Sequence, residues 1–247
     1  MFDAHFHIID HRFPLVPNQG YTPPAFDVSA YRRATQDLGI SGGALVSGSF
    51  QAFDQSYLVD ALEKLGDGFV GVTQLPETVA DDELVRLDRA GVRAVRFNLR
   101  RGGSAGVAHL EAIARRVDEV VGWHVELYVD ARTLPELEPC LRRLPRVGID
   151  HLGLTADGLP ALRRHIERGG FVKATGFGRL DFDPRGGLRD LVAAGPESVV
   201  FGTDLPSTRA PRPFSLADVE LVRETLDPSD AERVFRTNAE RIYLART

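Results

Sequence analysis

Met1-Phe-Asp-Ala-His-Phe-His7 opens the chain, and Val199-Val-Phe-Gly-Thr-Asp204 answers it towards the other end. In the first stretch apolar Phe2, Ala4 and Phe6 alternate with polar Asp3, His5 and His7. A two-residue period predicts a β-strand and sets His5 and His7 on one face, about 7 Å apart along it. Two imidazoles at that spacing can converge on one ion, water or carbonyl. The same pattern also suits a polar edge strand with two solvated histidines. What favours a site is the second strand, which ends in an acid at the far end of a chain of barrel length.

Outward from these two stretches, eight short apolar runs recur, at 2–8, 42–46, 69–75, 94–99, 124–129, 147–152, 171–175 and 199–202. Helical patterns lie between them at 28–38, 57–65, 81–90, 107–121, 134–144, 159–168 and 188–194. Gly39, Gly66, Gly91 and the pair Gly169-Gly170 mark helix ends. This alternation predicts parallel pairing and an α/β fold, a single-domain (β/α)8 TIM barrel over residues 1–247. A Rossmann fold would place a glycine fingerprint after the first strand, where histidines stand instead. Segment 11–27 carries Pro14, Pro17, Pro23 and Pro24. It is expected to fold over the barrel mouth as a lid, the alternative being a plain surface excursion. The helix-rich tail, 216–245, is expected to cover the last strand and the barrel's outside.

The 247 residues are 43% hydrophobic and 26% charged, ordinary for a soluble globular protein. A net charge of −5 argues against a nucleic-acid or anionic-membrane partner. No apolar run reaches the roughly 18 residues that cross a bilayer. Asp3 already lies inside a strand pattern, so no secretory leader is expected, and the cytoplasm is the expected compartment. Cys140 is the single cysteine, which excludes disulfides within the chain and cysteine metal clusters. A homo-oligomer is compatible with these features.

In a barrel of this kind the reacting groups lie at the C-terminal ends of the strands. Those ends carry His5, His7, Ser47, Ser49, Gln74, Arg96, Arg101, Tyr128, Asp130, Asp150, His151, Lys173, Thr175 and Asp204. Tyr21 and Arg179 sit on loops from which they can reach inward. So many polar groups at one end of all the strands exceed what packing requires, although a buried arginine can simply pair with a core acid. An ionised aspartate there can accept a proton at neutral pH, which a guanidinium cannot. Arginine's planar fork suits a carboxylate. His109 and His165 fall on charged helices and are expected in solvent, while His124 begins its strand, at the end remote from the chemistry.

The ordered set Asp3-Ala-His-Phe-His7, Gly91-Val-Arg-Ala-Val-Arg-Phe-Asn98, Asp150-His-Leu-Gly153, Thr203-Asp204 and Asn238-Ala-Glu-Arg-Ile-Tyr243 resembles the amidohydrolase superfamily. Within it the resemblance is to the branch of 2-pyrone-4,6-dicarboxylate lactonase and sugar lactonases. It implies a hydrolase that opens a lactone, or a similar activated ester, of a small carboxylated substrate. It implies Asp204 as the general base that deprotonates water, with His5, His7 and His151 polarising the carbonyl. Arg96, Arg101 and Arg179 would bind substrate carboxylates, with Ser47, Tyr21, Tyr128 and Lys173 as companions.

Metal-dependent members of that superfamily place a histidine at the end of the fifth strand. Here the strand runs His124-Val-Glu-Leu-Tyr-Val-Asp130 and has none at that end. His5, His7 and Asp204 would be the ligands of any bound zinc, and His151 offers a fourth. The pyrone lactonase branch works without an obligatory metal, so the resemblance implies no required cofactor. Two alternatives stand beside this reading. One is a zinc-dependent amidohydrolase or decarboxylase of the same superfamily; the other is a catalytically silent barrel that binds a small anion.

Overall fold

Two backbone hydrogen bonds join the first strand to the segment that leaves the last one. The Asp204 N–H donates to the His5 carbonyl at 2.7 Å, and the His7 N–H donates to the Leu205 carbonyl at 2.7 Å. They close a barrel whose computed structural model describes residues 1–245. Among these, eight strands pair in parallel and in chain order: β1 (Phe2–Phe6), β2 (Gly42–Val46), β3 (Phe69–Thr73), β4 (Val92–Asn98), β5 (His124–Tyr128), β6 (Val147–Ile149), β7 (Phe171–Ala174) and β8 (Val199–Phe201). Helices α1 (Val28–Thr35), α2 (Ser56–Leu65), α3 (Asp81–Arg89), α4 (Val107–Val121), α5 (Leu134–Leu141), α6 (Leu159–Glu167), α7 (Pro184–Ala194) and α8 (Leu216–Thr225) follow the strands in turn. No helix among the described residues is long and apolar enough to cross a membrane.

Two apolar layers hold the ring. Inside it, Phe2, Ala4, Ala44, Val46, Val70, Val72, Ala94, Phe171 and Val200 pack on one another and on Tyr243. Outside it, Leu45, Val95, Phe97, Val125, Leu127, Ile149, Val172 and Phe201 pack against helix residues such as Leu58, Leu84, Leu110, Leu162 and Leu188. The strands are therefore buried on both faces, as a parallel sheet covered by helices requires.

The opening strand departs from the strict alternation its sequence predicts. Its register against β2 shifts between Asp3 and Phe6. Phe2 and Ala4 join the inner layer, whereas Phe6 stacks outside on Tyr31 with ring centroids 4.0 Å apart. Asp3 is not a site residue. It accepts from the Thr203 backbone at 2.8 Å, the Thr203 hydroxyl at 2.7 Å and Tyr31 Oη at 3.0 Å. An irregularity of this kind re-aims a side chain, and here it turns His5 inward beneath His7.

Other boundaries differ for local reasons. α7 starts at Pro184, earlier than periodicity suggests, because the Asp183 side chain caps the Arg185 N–H and proline suits the first helical turn. The predicted run 147–152 ends as a strand at Ile149, and His151–Gly153 form a 3-10 turn. The tail, expected over 216–245, is α8 and three shorter pieces. After α8 come α9 (Pro228–Glu232), a π turn over Arg233–Thr237 and α10 (Asn238–Tyr243). Asn238 Nδ2 donates to the Pro196 and Val199 carbonyls at 2.8 Å, fastening the tail to the start of β8.

Candidate active site

Asp204 lies fully buried just beyond β8, with φ +59°. His151, beyond β6, is buried with φ +52°. A non-glycine residue held in the left-handed region costs on the order of 1 kcal/mol, and such strain gathers at functional sites. Asp204 Oδ1 faces His7 Nε2 at 3.6 Å and His5 Nε2 at 3.9 Å. Neither distance is a hydrogen bond, and both Asp204 Oδ1 and His5 Nε2 are buried without a partner among the described residues. His7 Nδ1 lies 2.7 Å from the Val46 carbonyl, which only accepts, so Nδ1 carries the proton. His151 completes the cluster, its ring centroid 4.9 Å from that of His5 and 4.9 Å from that of Tyr128.

Electrostatics set the protonation states. Burial would raise the Asp204 carboxyl, but the Arg179 guanidinium, with His151, His7 and His5, outweighs it and holds the acid well below the usual carboxylate range. Arg179 Nε donates to Asp204 Oδ2 at 2.7 Å, and its Nη2 donates to the Thr208 carbonyl at 3.0 Å. Burial pushes the His5 imidazole down to about 4, against the pull of Asp150, and pushes His151 well below its ordinary value. At neutral pH the site therefore presents an ionised carboxylate beside two uncharged imidazoles.

Above this cluster is a cavity lined by His7, His151 and Asp204, by Tyr128, and by four arginines: Arg96, Arg101, Arg179 and Arg209. Arg96 is already occupied. Its Nε and Nη2 donate to Asp150 Oδ2 at 3.0 and 2.8 Å, and its Nη1 donates to the Ser47 carbonyl at 3.0 Å. Arg101 and Arg209 have no carboxylate partner among the described residues. The cavity holds about 30 Å³, room for roughly one water. Segment 11–27 is bonded to residues of its lining: Val16 N–H donates to the Phe50 carbonyl at 2.8 Å, and Asn18 Nδ2 to the Arg101 carbonyl at 3.2 Å. A larger groove, of about 770 Å³, lies at the opposite end of the barrel beside α5 and α6 and contains none of these groups.

Several sequence candidates do not line the cavity: His5 is fully buried beneath it, and Ser47, Lys173 and Tyr21 also stand back from it. The Ser47 hydroxyl turns to Tyr57 Oη at 2.7 Å, and only its carbonyl serves the site, through Arg96. Lys173 is fully buried beneath the cluster, 2.5 Å from Glu126 Oε2 and 3.5 Å from His5 Nδ1. Glu126 accepts in turn from Tyr243 Oη at 2.5 Å, so a buried polar chain runs from His5 down to the tail. Tyr21 meets the site through Arg209, whose guanidinium lies 4.9 Å from its ring centre. His165, expected in solvent, is partly buried, with Nε2 donating to the Val147 carbonyl at 2.9 Å. Arg209, Asn98 and Ser49 line the cavity as well, and Arg209 was missed for want of any periodic signal in its loop.

The sequence profile described as amidohydrolase matches residues 2–244. The chain belongs to the amidohydrolase family. Among characterised amidohydrolases it is similar to the 2-pyrone-4,6-dicarboxylate hydrolase of Comamonas testosteroni, 34% identical over 156 residues. That alignment takes in 61% of this chain and 51% of the relative, so the chain spans about half of that protein's length. It is also similar to the 4-sulfomuconolactone hydrolase of Hydrogenophaga intermedia, 27% identical over 228 residues, covering 83% of this chain and 74% of that one. In fold it is like the "probable 2-pyrone-4,6-dicarboxylic acid hydrolase" of Acinetobacter baumannii solved with citric acid, with a TM-score of 0.86, 21% identity and 99% of each chain covered.

Family membership raises the question of a metal, and the donor set answers it in part. Ligand atoms of His5, His7 and Asp204 lie within 4.8 Å of one another, and two of them are orphaned and buried. Three such donors fit a divalent cation. His151 does not join that set; it groups with His5 and Asp150 instead.

Proposed function

We propose that this amidohydrolase opens the lactone ring, or a similar activated ester, of a small carboxylated substrate. One observation carries the reading: a buried, ionised Asp204 flanked by imidazoles lies under a cavity where Arg101 and Arg209 lack carboxylate partners. Positive charge so placed favours an anion, and the carboxylate below it favours attack by water.

Asp204 Oδ1 accepts a proton from water, and the water oxygen bonds to the lactone carbonyl carbon. The ring C–O bond then breaks, and its oxygen departs with the electron pair. An acid held this low is a weak base, so the proton does not stay on Asp204; the leaving oxygen, newly negative, is where it goes. His151, which lines the cavity, stabilises the charge that develops on the carbonyl oxygen, with His5 buried behind it. Arg179 holds Asp204 ionised and in place.

A zinc-dependent reading draws on the orphaned donors. His5, His7 and Asp204 would hold the ion, which would polarise the carbonyl or its water when bound. Metal-independent turnover is favoured by Arg179, because a guanidinium already donates to the same carboxylate and the arginines above add like charge. A screen of carboxylated and neutral lactones with chelator-treated enzyme tests class and metal use together. Hydrolysis of amides or decarboxylation only, or no turnover with tight anion binding, would replace the lactonase reading.

A further inference from the structure

Arg209 sits on the loop after β8 with φ +58°. Its Nη1 donates to the Asn18 carbonyl at 3.3 Å, and its Nη2 donates to Asn18 Oδ1 at 3.1 Å and Ser49 Oγ at 3.0 Å. The Tyr21 ring covers the guanidinium. Three of its five N–H groups are thus used. Nε is buried and has no partner among the described residues. A buried N–H left unmade is costly, and an incoming acceptor relieves that cost. Burial and the neighbouring Arg101 charge push the guanidinium below its ordinary value, which a bound anion would reverse.

Arg96 and Arg179 come to the cavity already paired with Asp150 and Asp204. The uncompensated charge belongs to Arg101 and Arg209. We infer that Arg209 is a specificity-determining residue that binds a carboxylate of the substrate beside Arg101, and that Asn18 holds its guanidinium in position. The inference rests on the lactonase reading for its kinetics and adds a residue to it. It also ties recognition to segment 11–27, because Asn18 is bonded to the very group that receives the anion.

The test compares wild-type enzyme with Arg209→Met, Arg209→Lys and Asn18→Ala. Each is assayed on a carboxylated lactone and on the matching lactone without the carboxylate, and citrate binding is measured by calorimetry. Arg209→Met is expected to lose about 10- to 100-fold more kcat/KM on the acid than on the neutral lactone. Its citrate affinity should fall by a similar factor. Arg209→Lys, which keeps the charge and loses the fork, should lie between. Asn18→Ala should lose a smaller part of the same discrimination, chiefly in KM. Equal losses on both lactones, or citrate affinity equal to wild type, would overturn the inference. If wild type turns over no lactone, the proposed function falls, and the citrate measurements still decide the role of Arg209. If Arg209→Met does not fold, the lysine and Asn18 variants decide it.

Discussion

Arg179 donates through Nε to Asp204 Oδ2 at 2.7 Å, so the proposed base carries its own counter-charge. Burial works to raise this carboxyl, and Arg179 is the largest influence working against it. Arg179→Met removes the cation and leaves the burial, so the Asp204 pKa rises. A base works only when ionised, and the acid limb of kcat/KM should therefore move to higher pH. A profile from about pH 4 to 8 checks this; an unmoved limb assigns the base to another group.

Asp204→Asn keeps the shape and the bond from Arg179 but removes the proton acceptor. The expected loss is about 10²- to 10⁴-fold in kcat with the protein still folded. Near-normal turnover in a folded variant would exclude Asp204 as base. Loss of stability without specific loss of kcat would make it a tether for the histidines.

The Arg96 bonds to Asp150 change what its removal should do. Both residues are almost fully buried, and Arg96→Met leaves the Asp150 charge without its main partner. Breaking such a pair costs about 3–5 kcal/mol, so urea denaturation should show a much lower midpoint. A variant as stable as wild type, with an effect confined to KM, would return Arg96 to the substrate clamp.

Chelation should leave kcat/KM unchanged, because Arg179 already neutralises the carboxylate that a metal would share. Activity that disappears with chelator, returns with zinc and tracks one ion per chain would establish the zinc-dependent reading.

Acid should unfold this protein through its interior. Burial raises Glu126, Asp150 and Asp204, and in each the surrounding partners together outweigh it, the foremost being Lys173 for Glu126, Arg96 for Asp150 and Arg179 for Asp204. All three are held below the ordinary range. A depressed folded pKa contributes stability above the unfolded value and loses it as pH falls. The urea midpoint should therefore drop as pH falls below about 4.5, and Lys173→Met should remove the part that Glu126 contributes.

Much of the ring was legible because each strand is a short apolar run bounded by a helix stop, and because polar side chains collect at the strand ends. The pairing of His5 with Asp204 across the seam followed from the same logic. Local backbone geometry did not follow. The shift in β1 that turns His5 inward and Phe6 outward has no mark in a sequence that alternates cleanly. Lys173 stands at a strand end and reads as a ligand group, yet one further layer of depth puts it against Glu126. Arg209 lies in the loop Thr208-Arg-Ala-Pro-Arg-Pro213, where no period distinguishes it from Arg212, which pairs instead with Asp218. Loop side chains are placed by what closes over them, and Asn18 is almost 200 residues away in sequence.

The seam between β1 and the exit of β8 bears on how the protein comes into being. His5 and Asp204 meet only where the Asp204 N–H finds the His5 carbonyl. The two histidines of β1 precede Asp204 by almost the whole ring, so the cluster is incomplete until the eighth strand is in place. No shorter piece of the ring holds an intermediate form of the site. Turnover should therefore vanish at the same denaturant concentration as the fold, making activity a direct measure of whether the ring has shut.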